Sequence, residues 1–251
     1  MSGLIVNKDI ALTVKSAATR ARLITTAERL FAERGIEGVT LSDINLAAGQ
    51  RNKNATHYHF GDKRGLLQAI IDKHLPAILL RRNQLLEASR EQGGYTAATV
   101  VSTLLYPLAE KLFDGNGGRE FIRINAQIAA AHAAAINGAT EAVFQIGPID
   151  WLSAARAEFM RHLPPPIAQQ RVNLAVALIL NGLADHSRLL DRVPADLATD
   201  TELFIRNLED CLVAMCTAPA SASTAAALGK AESQHAPAAS RAAAKKKSVR
   251  S

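Results

Sequence analysis

Aromatic residues make up only 4% of this 251-residue chain, although 48% of it is hydrophobic. Alanine and leucine supply the difference, and the alternation of β-branched with polar residues that marks strands is missing. Sandwiches and barrels draw on aromatic and β-branched residues, so this scarcity excludes them and leaves packed helices. No apolar run approaches the roughly 20 residues that cross a bilayer. Residues 174–180 are a buried helical turn or two. At the N-terminus, Leu4-Ile5-Val6 is too short for a secretory apolar region and no small-residue cleavage site follows, so a cytoplasmic protein without membrane partners is expected. Cysteine is confined to Cys211 and Cys216. Five apart on a helix, their side chains diverge, which argues for two small buried hydrophobes rather than a disulfide or redox pair.

Converging reactive groups are missing as well. Asp185, His186 and Ser187 are the residue types of a hydrolytic triad, but three consecutive helical residues fan around the axis. His57 and His59 flank Tyr58 and diverge on a helix, with no carboxylate or thiol ligand close in sequence. Residues 113–118 are rich in glycine yet lack the Lys-Ser/Thr ending and preceding strand of a phosphate loop. Neither catalysis, nor a metal, nor a cofactor is expected.

What is present is an uneven charge. The net +6 divides into +4 over residues 1–74, −3 over 75–217 and +5 over 218–251. A basic first segment on an acidic body suggests that the first meets a polyanion and the second does not. The last segment turns to Ala, Ser, Pro and Lys and buries too little to offset its ordering, so a disordered basic tail is expected.

Residues 19–34 read as a helix with Leu23, Ala27, Leu30 and Phe31 on one stripe, stopped by Gly35. Thr40 with Asp43 forms an acidic variant of the capping box and opens a second, two-turn helix ending at Gly49. A third short helix is read over residues 52–58, and a fourth from Lys63. This is a helix-turn-helix pattern, in which the second helix braces the third and the third presents its N-terminal residues to the DNA major groove. Gln50, Arg51, Asn52, Lys53 and Asn54 suit that place: Arg and Lys match the guanine edge, Asn and Gln the adenine edge. The plainer alternative is a polar turn between packing helices. Further helices are read over about 63–91, 96–113, 119–135, 149–163, 166–191 and 201–217, separated by glycine and proline turns. The fold class is all-α: a three-helix helix-turn-helix headpiece (residues 19–68, after a flexible arm, 1–18) on a larger helical domain (69–217), then the tail (218–251).

The run from Ala27 to Gly35, then Val39-Thr40, Asp43-Ile44, Ala48-Gly49, Tyr58-His59-Phe60-Gly61-Asp62-Lys63 and Leu66-Leu67, strongly resembles the TetR family of bacterial regulators. The resemblance covers residues 19–71. It implies a homodimer, with the headpiece on double-stranded operator DNA and a C-terminal domain that binds a small-molecule effector and pairs the subunits. By that resemblance Thr40 contacts phosphate through its hydroxyl or amide, Lys63 does so through its ammonium and the helix end, and Tyr58 does so from the recognition helix, with His57 competing for the role. Two departures stand out. Eleven residues rather than the family's ten run from Gln50 to Phe60, so the third helix is capped by Arg51 or, by propensity, Asn52. Asn45 stands where the family prefers a small apolar residue.

Residues 172–190 are apolar nearly all round and, with 203–215, are expected to form the dimer interface the family implies; a central core helix of a monomer is the alternative. The expected effector contacts are Phe121, Asn125, Gln127, His132, Phe144, Trp151 and Met160, a mainly apolar set suiting a hydrophobic or acyl-type ligand. The function expected is that of a repressor released from a palindromic operator by its inducer; an activator is the alternative.

Overall fold

The computed structural model describes residues 2–94, 96–134, 161–192 and 200–235, and every regular element among them is helical. The first helix, α1, spans Ser2–Arg34 and so begins well before residue 19, taking in the stretch expected as a flexible arm. Helix propensity explains the difference: after Gly3 no glycine or proline interrupts the chain until Gly35. From Val14, which is 62% exposed, the first buried side chain along the helix is Leu23. The apolar stripe therefore marks where the helix meets the core, not where it begins.

Leu23, Ala27, Leu30 and Phe31 on α1 are buried with Ile44 of α2 (Leu41–Ala47), Ala55 of α3 (Ala55–Phe60), and Leu66 and Ile70 of α4 (Lys63–Glu91). Each large apolar side chain taken fully from water stabilises by about 1.5–3 kcal/mol, which lets helices as short as α2 and α3 persist. Gly61 turns the chain between α3 and α4 at φ +76°. Four residues on, a Cβ at Gly65 would lie 2.0 Å from the Phe60 carbonyl oxygen, so the start of α4 is pressed against the end of α3. Asp62 caps α4 by accepting from the Gly65 amide at 2.8 Å.

Helix α4 leaves the headpiece, buries Ile78 and packs on α5 (Ala97–Ala109), which runs on as a 3₁₀ turn over Glu110–Phe113. Helix α6 (Gly118–Ala134) packs on α1 and on α7 (Pro165–Arg192), while α8 (Thr201–Thr217) packs on α5 and α7. Ile122, Ile124, Leu105, Leu183 and Leu212 continue the hydrophobic core that begins in the headpiece. The helix expected over 149–163 falls almost wholly outside the described residues.

Two expectations are corrected here. Residues 174–180 of α7 are not buried throughout: Ile179 and Leu180 are buried, but Leu174 is 59% and Leu178 41% exposed, and Leu203 on α8 is 63% exposed. The segment after Thr217 is not wholly without structure, because Ala222–His235 forms a further helix, α9. Its alanine-rich sequence has high intrinsic helix propensity, so it needs little burial, and Leu228 gives it one half-buried contact with the core. Arg171 holds the preceding turn through the carbonyls of Met215, Ala218 and Pro219. Among the described residues no single helix is long and apolar enough to cross a membrane.

Candidate nucleic-acid interface

The α2–α3 pair begins at Thr40, whose hydroxyl accepts from the Asp43 amide at 3.1 Å and donates to the Asp43 carboxylate at 2.6 Å. The Thr40 amide donates to the same carboxylate at 2.9 Å. These bonds, the side-chain one first, hold the Asp43 carboxyl below the usual carboxylate range. The capping box read from the sequence is present, and it has a consequence for the expected phosphate contact: both Thr40 donors are already committed to Asp43.

The third helix starts later than residue 52. Asn54 occupies the cap position without a side-chain cap bond, and α3 begins at Ala55. Asn52 does not cap a helix because its side chain accepts from the Asn54 amide at 3.0 Å, while its carbonyl accepts from the Ala55 amide at 3.1 Å. The polar segment is therefore a tight turn leading into α3, not the first turn of α3. Arg51, Asn52, Lys53 and Asn54 are exposed on it, and His57 and Tyr58 are exposed on the helix, Tyr58 by 79%. Gln50 is set apart, half-buried and directed at the Ala48 carbonyl at 3.4 Å. Ala55 and Thr56 form the buried side of α3.

The element that fixes this turn is Asn45, only 4% exposed in the middle of α2. Its Nδ2 donates to the Lys53 carbonyl at 2.6 Å. Its Oδ1 accepts from the Thr56 amide at 3.0 Å and from the Thr56 hydroxyl at 2.5 Å. The cap that Asn54 does not provide comes from the neighbouring helix. Sequence reasoning missed this role, although an amide on the inward side of a two-turn helix was a signal that something across from it needed a partner.

Lys63 is half-buried, and its ammonium donates to the Ile36 carbonyl at 2.9 Å, joining the start of α4 to the loop after α1. Arg20 lies over the Phe60 ring at 5.2 Å and ties the other end of α3 to α1. The structure thus gathers Arg51, Asn52, Lys53, Asn54, His57 and Tyr58 on one surface and places Thr40 and Lys63 in structural contacts at its borders.

The expected effector contacts divide differently. Phe121 is buried with its ring 4.4 Å from that of His74, and Asn125 is buried and donates to the Phe121 carbonyl of its own helix at 2.8 Å. Gln127 reaches the headpiece, donating to the Phe31 carbonyl at 3.0 Å and accepting from the Ile36 amide at 2.9 Å. These three serve packing and the domain junction, because α6 lies between the headpiece and α7 and its polar side chains find backbone partners there. The side chains of His132, Phe144, Trp151 and Met160 lie outside the described residues. A surface groove of about 300 Å³ between α5 and α8 is lined by Tyr106, Phe113, Glu202 and Arg206 among others, none of them an expected contact.

A short helix braced by a second, with a turn of cationic and amide side chains leading into it, defines a helix-turn-helix headpiece on a helical body. Residues 23–70 match the family model described as bacterial regulatory proteins, tetR family, so the headpiece is of that family's type. It is similar to the HTH-type transcriptional regulator TtgR of Pseudomonas putida, 44% identical over 22% of this chain and 25% of the relative. It is also similar to the HTH-type transcriptional repressor BepR of Brucella suis, 37% identical over 24% of this chain and 28% of that protein. The chain thus spans about a quarter of the length of the curated relatives it matches. A solved TetR-family transcriptional regulator from Rhodococcus sp. is 19% identical, with 79% of this chain and 99% of that one covered at a TM-score of 0.48.

Proposed function

We propose that this chain is a DNA-binding transcriptional repressor that holds a palindromic operator as a homodimer and leaves it when a small effector binds. The observation that carries the reading is the exposed set Arg51, Asn52, Lys53, Asn54, His57 and Tyr58, mounted on a buried and braced α2–α3 pair. These side chains offer both classes of contact that duplex DNA needs: amide and cationic groups for base edges, and cations and a phenol for phosphates.

The homodimer is supported by the uncovered leucines of α7 and α8. Leu174, Leu178 and Leu203 are large apolar side chains left at the surface of one chain, and a second copy would cover them. One short recognition element reads only a few base pairs, so two are needed for an operator. The effector is proposed as small and apolar or acyl-type, because the buried side chains of the body are largely apolar, Leu105, Ile122, Ile124, Leu183 and Leu212 among them.

Selection of bound DNA from a random library, with sizing by light scattering, tests the core of this reading. A palindromic consensus and a dimer are expected. A monomer that holds half-sites as tightly as whole sites sinks it. Undiminished operator affinity in the presence of every small molecule that raises the melting temperature counts against release by an effector.

A further inference from the structure

Asn45 is more than a satisfied core amide, because its bonds reach the two sides of the place where the DNA-facing turn becomes helix. Its carbonyl oxygen supplies the cap for the Thr56 amide and hydroxyl, and its NH₂ group holds the Lys53 carbonyl from the side. Thr56 is fully buried, so this is an anchored attachment rather than a surface contact. Between Lys53 and Thr56 lie Asn54 and Ala55, and immediately before them the exposed Asn52 and Arg51. Within the turn the bonds are local, from the Asn54 amide to the Asn52 side chain and from the Ala55 amide to the Asn52 carbonyl. The Gln50 amide before it donates to the Asn45 carbonyl at 3.0 Å, and the Asn54 carbonyl accepts from the Tyr58 amide at 2.9 Å. Local bonds shape a turn but do not orient it relative to the rest of the headpiece. The side-chain bonds that tie it to α2 are those of Asn45.

We propose that Asn45 is a specificity-determining positioning residue, whose buried amide clamps Lys53 and Thr56 to α2 and so sets which base edges Arg51, Asn52, Lys53 and Asn54 reach. Base readout depends on aiming two hydrogen bonds at one base edge, whereas phosphate attraction tolerates small displacements. Releasing the clamp therefore lowers discrimination between sequences and leaves general DNA affinity in place. A residue that merely stabilised the headpiece would, while the protein stayed folded, leave discrimination unchanged. The inference rests on the DNA-reading function proposed above.

The test measures affinity for the selected operator and for scrambled DNA, at several salt concentrations, in the full chain. Asn45→Ala is expected to lower the operator-to-scrambled affinity ratio at least ten-fold, with scrambled-DNA affinity and its salt slope changed less than two-fold. Thr56→Ser keeps the hydroxyl and amide and is expected to keep the ratio. Circular dichroism reports whether the variants fold. Should Asn45→Ala unfold, Asn45→Asp takes its place: the carboxylate still accepts from Thr56 but has no donor for the Lys53 carbonyl, so the turn is released while the helix start is kept. A folded variant of either kind with an undiminished ratio overturns the proposal. In the unmutated protein, slow hydrogen exchange of the Asn45 side-chain NH₂ protons is expected, and exchange at the rate of a free amide overturns the clamp. An unmutated chain that selects no consensus is a different failure, which removes the DNA-reading function itself.

Discussion

Two lysines that look alike in sequence have different surroundings. Lys53 is exposed on the turn before α3, and the Lys63 ammonium is half-buried against the Ile36 carbonyl. Each cationic contact made to duplex DNA releases condensed counterions and adds about one unit to the salt slope. Lys53→Ala is therefore expected to flatten the slope by about one unit and to weaken preference at one symmetric pair of operator positions. Lys63→Ala is expected to leave the slope nearly unchanged and to lower the melting temperature, since a partly exposed charged hydrogen bond contributes about 1 kcal/mol. Affinity against salt and thermal melts separate the two. A full unit of slope lost in Lys63→Ala, without a change in melting, returns that ammonium to a phosphate. Residue identity was legible here and residue partnership was not: the sequence shows a lysine at a helix start, but only the folded chain brings Ile36 within reach.

Elements were legible where their ends are chemical. Gly35, the Thr40–Asp43 box and the start of the fourth helix at Lys63 are set by local chemistry, and each stands where the pattern placed it. The start of α3 was not legible, because Asn52 can cap a helix or close a turn, and a side chain on another helix decides which. Helices α7 and α8 meet through a contact of the same non-local kind. His186 is buried, stacks parallel on Phe204 with ring centroids 4.2 Å apart, and shares a hydrogen bond with the Thr201 hydroxyl at 3.0 Å. Burial first, and then the Arg119 charge, hold this imidazole below its usual value of 6.5. In the unfolded chain it binds a proton at higher pH than in the folded one. Its contribution to stability is therefore whole above about 6.5 and is lost as the pH falls through the folded value. Melting temperature is expected to fall between pH 7 and 5, and His186→Gln, which keeps a partner for Thr201 but has no proton to gain, is expected to flatten that fall. An identical pH profile in the variant would place the acid sensitivity elsewhere.

In the whole molecule, the headpiece and the larger helical domain are joined by α4 and by a buried polar seam. Glu28 of α1, 1% exposed, receives bonds from Lys73 at 2.6 Å and from His74 at 2.8 Å, and the His74 ring packs on Phe121 of α6. Beside it Gln127 of α6 bonds both the Phe31 carbonyl and the Ile36 amide, and Lys63 holds the Ile36 carbonyl. The end of α1 is thus gripped from the body and from α4 at once. The all-helical class was legible from composition and periodicity. This seam was not, because Gln127 reads as an effector contact and a glutamate at the edge of an apolar stripe reads equally well as solvent-facing. A grip on backbone groups transmits displacement, since a buried carbonyl and amide that lose their partner are costly and the helices move together to keep it. If the headpiece is coupled to the body in this way, operator DNA should slow amide exchange in α6 as well as in α2 and α3. Gln127→Ala is expected to abolish the response of α6 while the headpiece remains protected by DNA, and to change operator affinity only a few-fold. Exchange followed by mass spectrometry, with and without operator, measures both. Should α6 respond to DNA equally in the variant, the coupling runs through α4 and the Glu28 cluster, and Gln127 serves only to hold the junction together.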